Sequence, residues 1–149
     1  MRRTMPGRVR RRQGFSAAEL VVVVAIVGVL SAVVVPRAAA YLDAVAVQGA
    51  SADVAVACAA ARAAAVSRNA HAAVRFDAAR GRVVVHVRAD TILRRDLAAL
   101  HRVTLTATRD SIAFNPLGLG YGAANARIVV SRGRSADTVW VARLGRVRR

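Results

Sequence analysis

The 149-residue chain contains no lysine, one glutamate and one cysteine. Without lysine, the formal net charge of +16 rests on arginine alone, and the abundance of arginine, alanine and valine indicates a compositional bias. Part of the arginine count therefore carries no information about function. A single cysteine, Cys58, excludes an intramolecular disulfide, and its alanine-rich surroundings favour a small core residue over a reactive thiol.

Sequence signals of an enzyme are also scarce. The three histidines, His71, His86 and His101, lack the spacing of metal ligands. The stretch GLGYG (residues 118–122) follows a proline turn and opens no helix, so we expect a flexible loop and not a phosphate-binding loop. Ser111 has no base in a recognisable motif. We expect no enzymatic activity, no cofactor and no metal site.

The longest apolar run, residues 15–35, contains the one glutamate, Glu19. As a helix it would cover about 31 Å, close to the roughly 30 Å hydrocarbon core of a bilayer. Six arginines and no acid precede it, which predicts a cytoplasmic N-terminus. A cleaved signal peptide, with Ala38 to Ala40 as its cleavage site, and a plain anchor are the alternatives. An ionised Glu19 is costly in lipid and has no use in a disposable signal, so it needs a partner.

The heptapeptide GFSAAEL (residues 14–20), behind a basic leader and ahead of the apolar run, resembles the class III signal of type IV pilins and type II secretion pseudopilins. The resemblance implies that a prepilin peptidase cuts after Gly14 on the cytoplasmic side and methylates the new amine of Phe15. It also implies that Glu19 pairs with that amine on a neighbouring subunit of a filament. Two charges that are costly alone in lipid are tolerable as a pair.

Helical spacing continues beyond the apolar run and predicts one helix from near Ser16 to near Ser67. We expect Pro36 to kink this helix and Gly49 to be a tolerated soft point. The predicted apolar stripe of its second half consists of Tyr41, Val45, Ala52, Val56, Ala59, Ala63 and Val66. The predicted segments are a cleaved leader (1–14), a transmembrane half (15–35) and an amphipathic half (36–68).

From Asn69 the apolar pattern alternates, which is typical of strands. The predicted strands are residues 71–77 and 81–90, which form a hairpin, then 103–108, 111–114, 127–131 and 138–143. Trp140 is expected to be a core residue of the last strand. These elements predict an α+β fold, in which the long helix packs on a small antiparallel β-sheet domain (69–149) that ends in a basic tail.

The C-terminal half, with FNPLG at residues 114–118 and GRVR at 145–148, resembles the globular domain of the GspH/FimT minor pseudopilins. No disulfide-bounded loop or acidic calcium site indicates a major pilin. The resemblance implies a structural component of a type II secretion pseudopilus or a related type IV pilus. The alternative is a minor type IV pilin that captures DNA through arginines near a flexible end. Those arginines are Arg143, Arg146, Arg148 and Arg149.

In both cases the expected partners are other pilins or pseudopilins, the prepilin peptidase and the inner membrane, with DNA added in the second case. The expected location is a bacterial inner membrane that the chain crosses once, with a cytoplasmic N-terminus and a periplasmic C-terminal domain. From there the protein would enter a periplasmic or surface filament.

Overall fold

The computed structural model describes residues 14–122 and 124–149, so most of the predicted leader lies outside the described residues. The chain divides into two compact units, Met1–Arg37 and Ala38–Arg149. In order, the elements are α1 (Ala17–Ser67), β1 (Ala72–Asp77), β2 (Arg82–Val87), β3 (Asp90–Asp96), α2 (Leu97–His101), β4 (Thr104–Ala107), β5 (Ser111–Phe114), β6 (Gly120–Tyr121), β7 (Ala126–Arg132), β8 (Ser135–Val141) and β9 (Val147–Arg148). The predicted α+β fold, with a long N-terminal helix on antiparallel strands, is confirmed.

Helix α1 has nearly the predicted bounds, but its buried face is not the predicted stripe. The buried residues are Val47, Ala50, Ser51, Val54, Ala57, Cys58, Ala61 and Ala65. In the predicted stripe, Tyr41 is 70% exposed and Val56 is 52% exposed. Alanine dominates the buried face because its short side chain is covered completely by the larger side chains of the strands. The prediction of the buried face of α1 from its larger apolar residues was therefore wrong.

Two antiparallel sheets complete the unit Ala38–Arg149. The first has the strand order β3-β2-β1-β5-β6 and the second has the order β4-β7-β8-β9. Val74 of β1 lies opposite Val85 of β2 and Ile112 of β5, and all three are buried. Inward-facing valines, isoleucines and phenylalanines of the strands and the alanines of α1 form one continuous core. Burial of the apolar side chains from both sources holds helix and sheets together.

The hairpin of β1 and β2 is confirmed, although β2 ends at Val87 because Arg88 turns the chain with a φ of +54°. Sequence analysis missed β3, α2, β6 and β9. The predicted flexible loop at residues 118–122 is wrong in part, because Gly120–Tyr121 pairs with β5. Strand β3 was missed since charged residues dominate it, and α2 since it has only five residues.

A polar contact holds helix α2 against α1, and it also explains why position 49 is a glycine. His101 Nε2 lies 2.8 Å from Asp53 Oδ2 of α1. A Cβ atom at Gly49 would lie 2.9 Å from His101 Cε1, so the glycine makes room for the imidazole ring. The expectation that Gly49 is merely a tolerated soft point is therefore wrong, because its missing side chain lets His101 reach Asp53.

Three side chains of this unit, Cys58, Asp77 and Asp96, have shifted pKa values, and hydrogen bonds from Arg80 lower the pKa of Asp77. Burial raises the pKa of the Cys58 thiol to about 12, which agrees with the predicted core position. The side chain of Asp96 accepts hydrogen bonds from Ala99 N at 2.9 Å and from Arg82 Nε at 2.7 Å. These bonds hold the pKa of Asp96 below its ordinary value, so the stability that they add is lost as the pH falls through the lowered pKa.

Candidate functional site

The predicted processing site lies just before the helix. Gly14 and Phe15 precede the first helical residue, Ala17, and both are exposed. Phe15 is 85% exposed, an unusual state for a phenylalanine in water. The peptide bond between Gly14 and Phe15 thus stands outside regular structure, where an enzyme has access to the backbone.

Glu19 has a local partner that sequence analysis missed. Its Oε2 atom accepts hydrogen bonds from Ser16 N at 2.8 Å and from Ser16 Oγ at 2.9 Å. In return, Glu19 N donates to Ser16 Oγ at 3.2 Å. This is a capping box, and the Ser-x-x-Glu pattern at residues 16–19 was its sequence signal. Among the described residues no cation pairs with Glu19, and the donors that its carboxylate meets there, both on Ser16, are uncharged.

The first half of α1 shows apolar side chains on every side. All residues from 14 to 42 are exposed, and large apolar side chains dominate the stretch. By length and composition α1 contains a segment that could cross a membrane. The helix continues through Pro36, and the kink predicted there stays a prediction.

The chain ends in a short strand and not in a flexible tail. Val147 of β9 pairs with Val141 of β8 and packs against the core. The turn between these strands is closed by hydrogen bonds from Ala142 N to Arg146 O at 2.8 Å and from Gly145 N to Ala142 O at 2.7 Å. The expectation that the terminal arginines lie near a flexible end is therefore wrong.

The four predicted DNA-binding arginines are all exposed, but their surroundings differ. Arg143 and Arg146 lie in the turn between β8 and β9, whereas Arg148 lies opposite Trp140. Arg149 turns toward α1, where its Nη2 atom lies 3.4 Å from Gln48 O, and its Nε atom lies 3.9 Å from Asp137 Oδ2. Three of the four remain without a carboxylate partner among the described residues.

Trp140 is on the surface, contrary to the expectation that it is a core residue. Its neighbours Val139 and Val141 are buried, so strand alternation turns the indole outward, where it is 51% exposed. Arg127 of β7 lies opposite, with its guanidinium carbon 5.6 Å from the ring centroid. This is within the range of a cation–π contact.

None of the three histidines belongs to a metal cluster: within residues 14–122 and 124–149 no group of three or more histidine, cysteine or carboxylate side chains is placed to hold a metal ion.

A long apolar N-terminal helix that continues onto antiparallel sheets defines a pilin-like α+β protein. Residues 50–145 match the family model described as type II transport protein GspH, so the chain belongs to the GspH family of minor pilins and pseudopilins. This family is structural. No curated protein matches the chain in sequence.

Two crystal structures of the type IV minor pilin FimU from Pseudomonas aeruginosa (strain PAO1) are similar to the chain in fold. Their TM-scores are 0.59 and 0.57, at sequence identities of 14% and 13%. Each match covers 68% of this chain, and 86% and 90% of the respective FimU chain. At such identities the likeness shows a common fold.

Proposed function

We propose that the protein is a minor pseudopilin, a structural component of a type II secretion pseudopilus or a related type IV pilus. A prepilin peptidase cuts it between Gly14 and Phe15 and methylates the new amine. The first half of α1 then anchors the chain in the inner membrane, with the N-terminus in the cytoplasm and the C-terminal domain in the periplasm. The observation that carries this proposal is the stretch 14–42, which is exposed throughout and largely apolar.

An apolar helical surface of this length is unfavourable in water. Lipid covers it before assembly, since the helix matches the thickness of a bilayer. Other pilins cover it afterwards, when the subunit leaves the membrane for the filament. The family and the fold both support this use of the helix.

Glu19 fits the same proposal. Its hydrogen bonds to Ser16 satisfy one carboxylate oxygen but do not neutralise the charge. Cleavage before Phe15 creates an ammonium group, and the ammonium group of one subunit neutralises Glu19 of the next. A pair of opposite charges in a medium of low dielectric constant is far less costly than either charge alone.

The first test is the mass of the protein extracted from membranes. We expect a chain that begins at N-methylated Phe15. Gly14→Val should retain the leader, because the added side chain obstructs the scissile bond. Gly28→Ala is the matched control, since a Cβ atom there meets nothing within 4 Å, and it should be processed normally. A product that begins at Tyr41 would establish a signal peptide, and an uncut chain would establish a plain anchor.

A second candidate function is DNA capture by a minor type IV pilin. The observation that favours it is the exposure of Arg143, Arg146 and Arg148 without a carboxylate partner among the described residues. Each phosphate that an arginine neutralises releases counterions, so duplex affinity should fall with salt by a slope of about 0.9 per contact on logarithmic axes. Binding that does not respond to salt would contradict this function.

A further inference from the structure

The register of the second sheet places an aromatic ring between two arginines. Arg127 of β7 is the partner of Trp140 in β8, and Trp140 is the partner of Arg148 in β9. All three residues are exposed. Cross-strand partners lie about 4.5–5.5 Å apart at Cβ, so the three side chains stand in one row on the outer face of the sheet.

This outer face, which we call the Trp140 face, carries no carboxylate. By strand alternation it consists of Thr104, Thr106, Arg127, Val129, Ser131, Ala136, Thr138, Trp140 and Arg148. Asp137 alternates to the side of Val139 and approaches Arg149 there. The first sheet differs, since its Arg82 pairs with Asp96 at 2.7 Å. The positive charge of the Trp140 face is thus not compensated by acidic side chains.

An open hollow of about 340 Å³ lies beside the indole ring. Thr108, Asn125 and Ala126 line it together with Arg127, Trp140 and Val141. Arg109 adds a third guanidinium at the rim, where its Nε atom donates to Asn125 O at 3.1 Å. A planar ring that enters this hollow would meet the indole and lie within reach of several positive charges.

We propose that the Trp140 face binds single-stranded DNA, with an unpaired base stacked on Trp140 and the neighbouring phosphates held by Arg127 and Arg148. The proposal rests on the second candidate function, DNA capture, and narrows its ligand to unpaired strands. In a duplex the faces of the bases are covered by their neighbours, so phosphate binding alone gives no role to an exposed indole. Base stacking on an aromatic ring, combined with arginine contacts to the backbone, is how proteins bind single strands without sequence preference.

The tryptophan fluorescence of the protein reports on Trp140 alone, because it is the only tryptophan in the chain. The full-length protein in an uncharged detergent is titrated with oligothymidylate, with an abasic oligodeoxyribose phosphate of the same length, and with a duplex. We expect oligothymidylate to quench the tryptophan fluorescence and to bind about tenfold more tightly than the abasic strand, since one stacked base contributes that much. The abasic strand and the duplex should leave the fluorescence nearly unchanged.

Variants separate stacking from charge. Binding of dye-labelled strands to Trp140→Ala should show no preference for oligothymidylate over the abasic strand, with an unchanged dependence on salt. Arg127→Gln should flatten the salt slope by about 0.7, the value for one phosphate contact with a single strand. Arg75→Gln is the control, an exposed arginine on the other sheet, and it should keep both the quenching and the preference. Circular dichroism checks that each variant is folded.

Equal affinity for the abasic strand and oligothymidylate, without quenching, would overturn the proposal. Salt-dependent binding of both strands in that case would leave DNA capture by charge alone. If none of the three ligands binds at low ionic strength, DNA capture fails together with the proposal. The filament function is tested separately, by the processing and incorporation of the chain.

Discussion

The two halves of α1 differ in what covers their apolar side chains. In the second half, residues 38–67, one face of mostly alanine is buried under the side chains of the strands. In the first half, residues 17–37, larger apolar side chains, mostly valines, are exposed on all sides. The apolar face of the second half is therefore covered by the fold of its own chain, whereas the described residues leave the apolar surface of the first half uncovered, as its proposed place in lipid and in a filament requires.

The largest effect on stability is expected from a larger side chain on the buried alanine face of α1. Ala57 is fully buried, and Ala57→Leu should lower the free energy of unfolding of the globular unit by about 1–3 kcal/mol, since the larger side chain has no space. Ala59→Leu adds the same atoms to the exposed face of the same helix. It should change stability by less than about 0.5 kcal/mol. Urea denaturation of both variants measures the difference, and equal losses would contradict the assignment of the buried face.

A smaller loss of stability is expected when the polar contact between Asp53 of α1 and His101 of α2 is removed. Asp53→Ala removes the hydrogen bond to His101 and the 3.7 Å ion pair with Arg95. Because these groups are partly buried, the loss should be about 1 kcal/mol. Asp90→Ala removes an ion pair with Arg68 that is more exposed: the Asp90 side chain is 77% exposed and the Arg68 side chain is 48% exposed. That change should have almost no effect on the urea midpoint. A larger loss at Asp90 than at Asp53 would contradict the role given to the α1–α2 contact.

The sequence predicted the bounds of α1 well, because apolar residues at helical spacing continue from the apolar run to near Ser67 and give way to an alternating pattern from Asn69. It failed on the buried face, since alanine gives little contrast in a pattern of apolar residues. The β1–β2 hairpin was predicted because the strands are β-branched and the turn holds Gly81. The two-residue strands β6 and β9 carry too few residues for any periodicity.

The residues of the candidate sites also differ in how far they can be predicted, because some depend on neighbouring residues and others on the pairing of distant strands. The position of Glu19 and its capping partner Ser16 are both readable from adjacent residues. The row of Arg127, Trp140 and Arg148 cannot be predicted from neighbouring residues, because it depends on the register of three strands. Trp140 was assigned to the core since tryptophan is apolar, although the buried valines on either side of it show which way the strand faces.

We propose that the charge of Glu19 serves the filament and not the fold of its own helix. Glu19→Gln isolates the charge, because glutamine also serves at this position of a capping box. Ser16→Ala is the matched change, since it removes the capping hydroxyl and leaves the charge in place. Both variants should enter the membrane and be cut before Phe15, which the mass of the extracted protein verifies.

The most direct measurement is the fraction of each variant that chemical crosslinking joins to neighbouring pilins in isolated filaments. We expect Ser16→Ala to be incorporated nearly as well as the parent chain, and Glu19→Gln to be inserted into the membrane but lost from the filament. Incorporation of Glu19→Gln at the level of the parent chain would contradict the proposed role of the Glu19 charge in assembly, and so would an equal loss in Ser16→Ala.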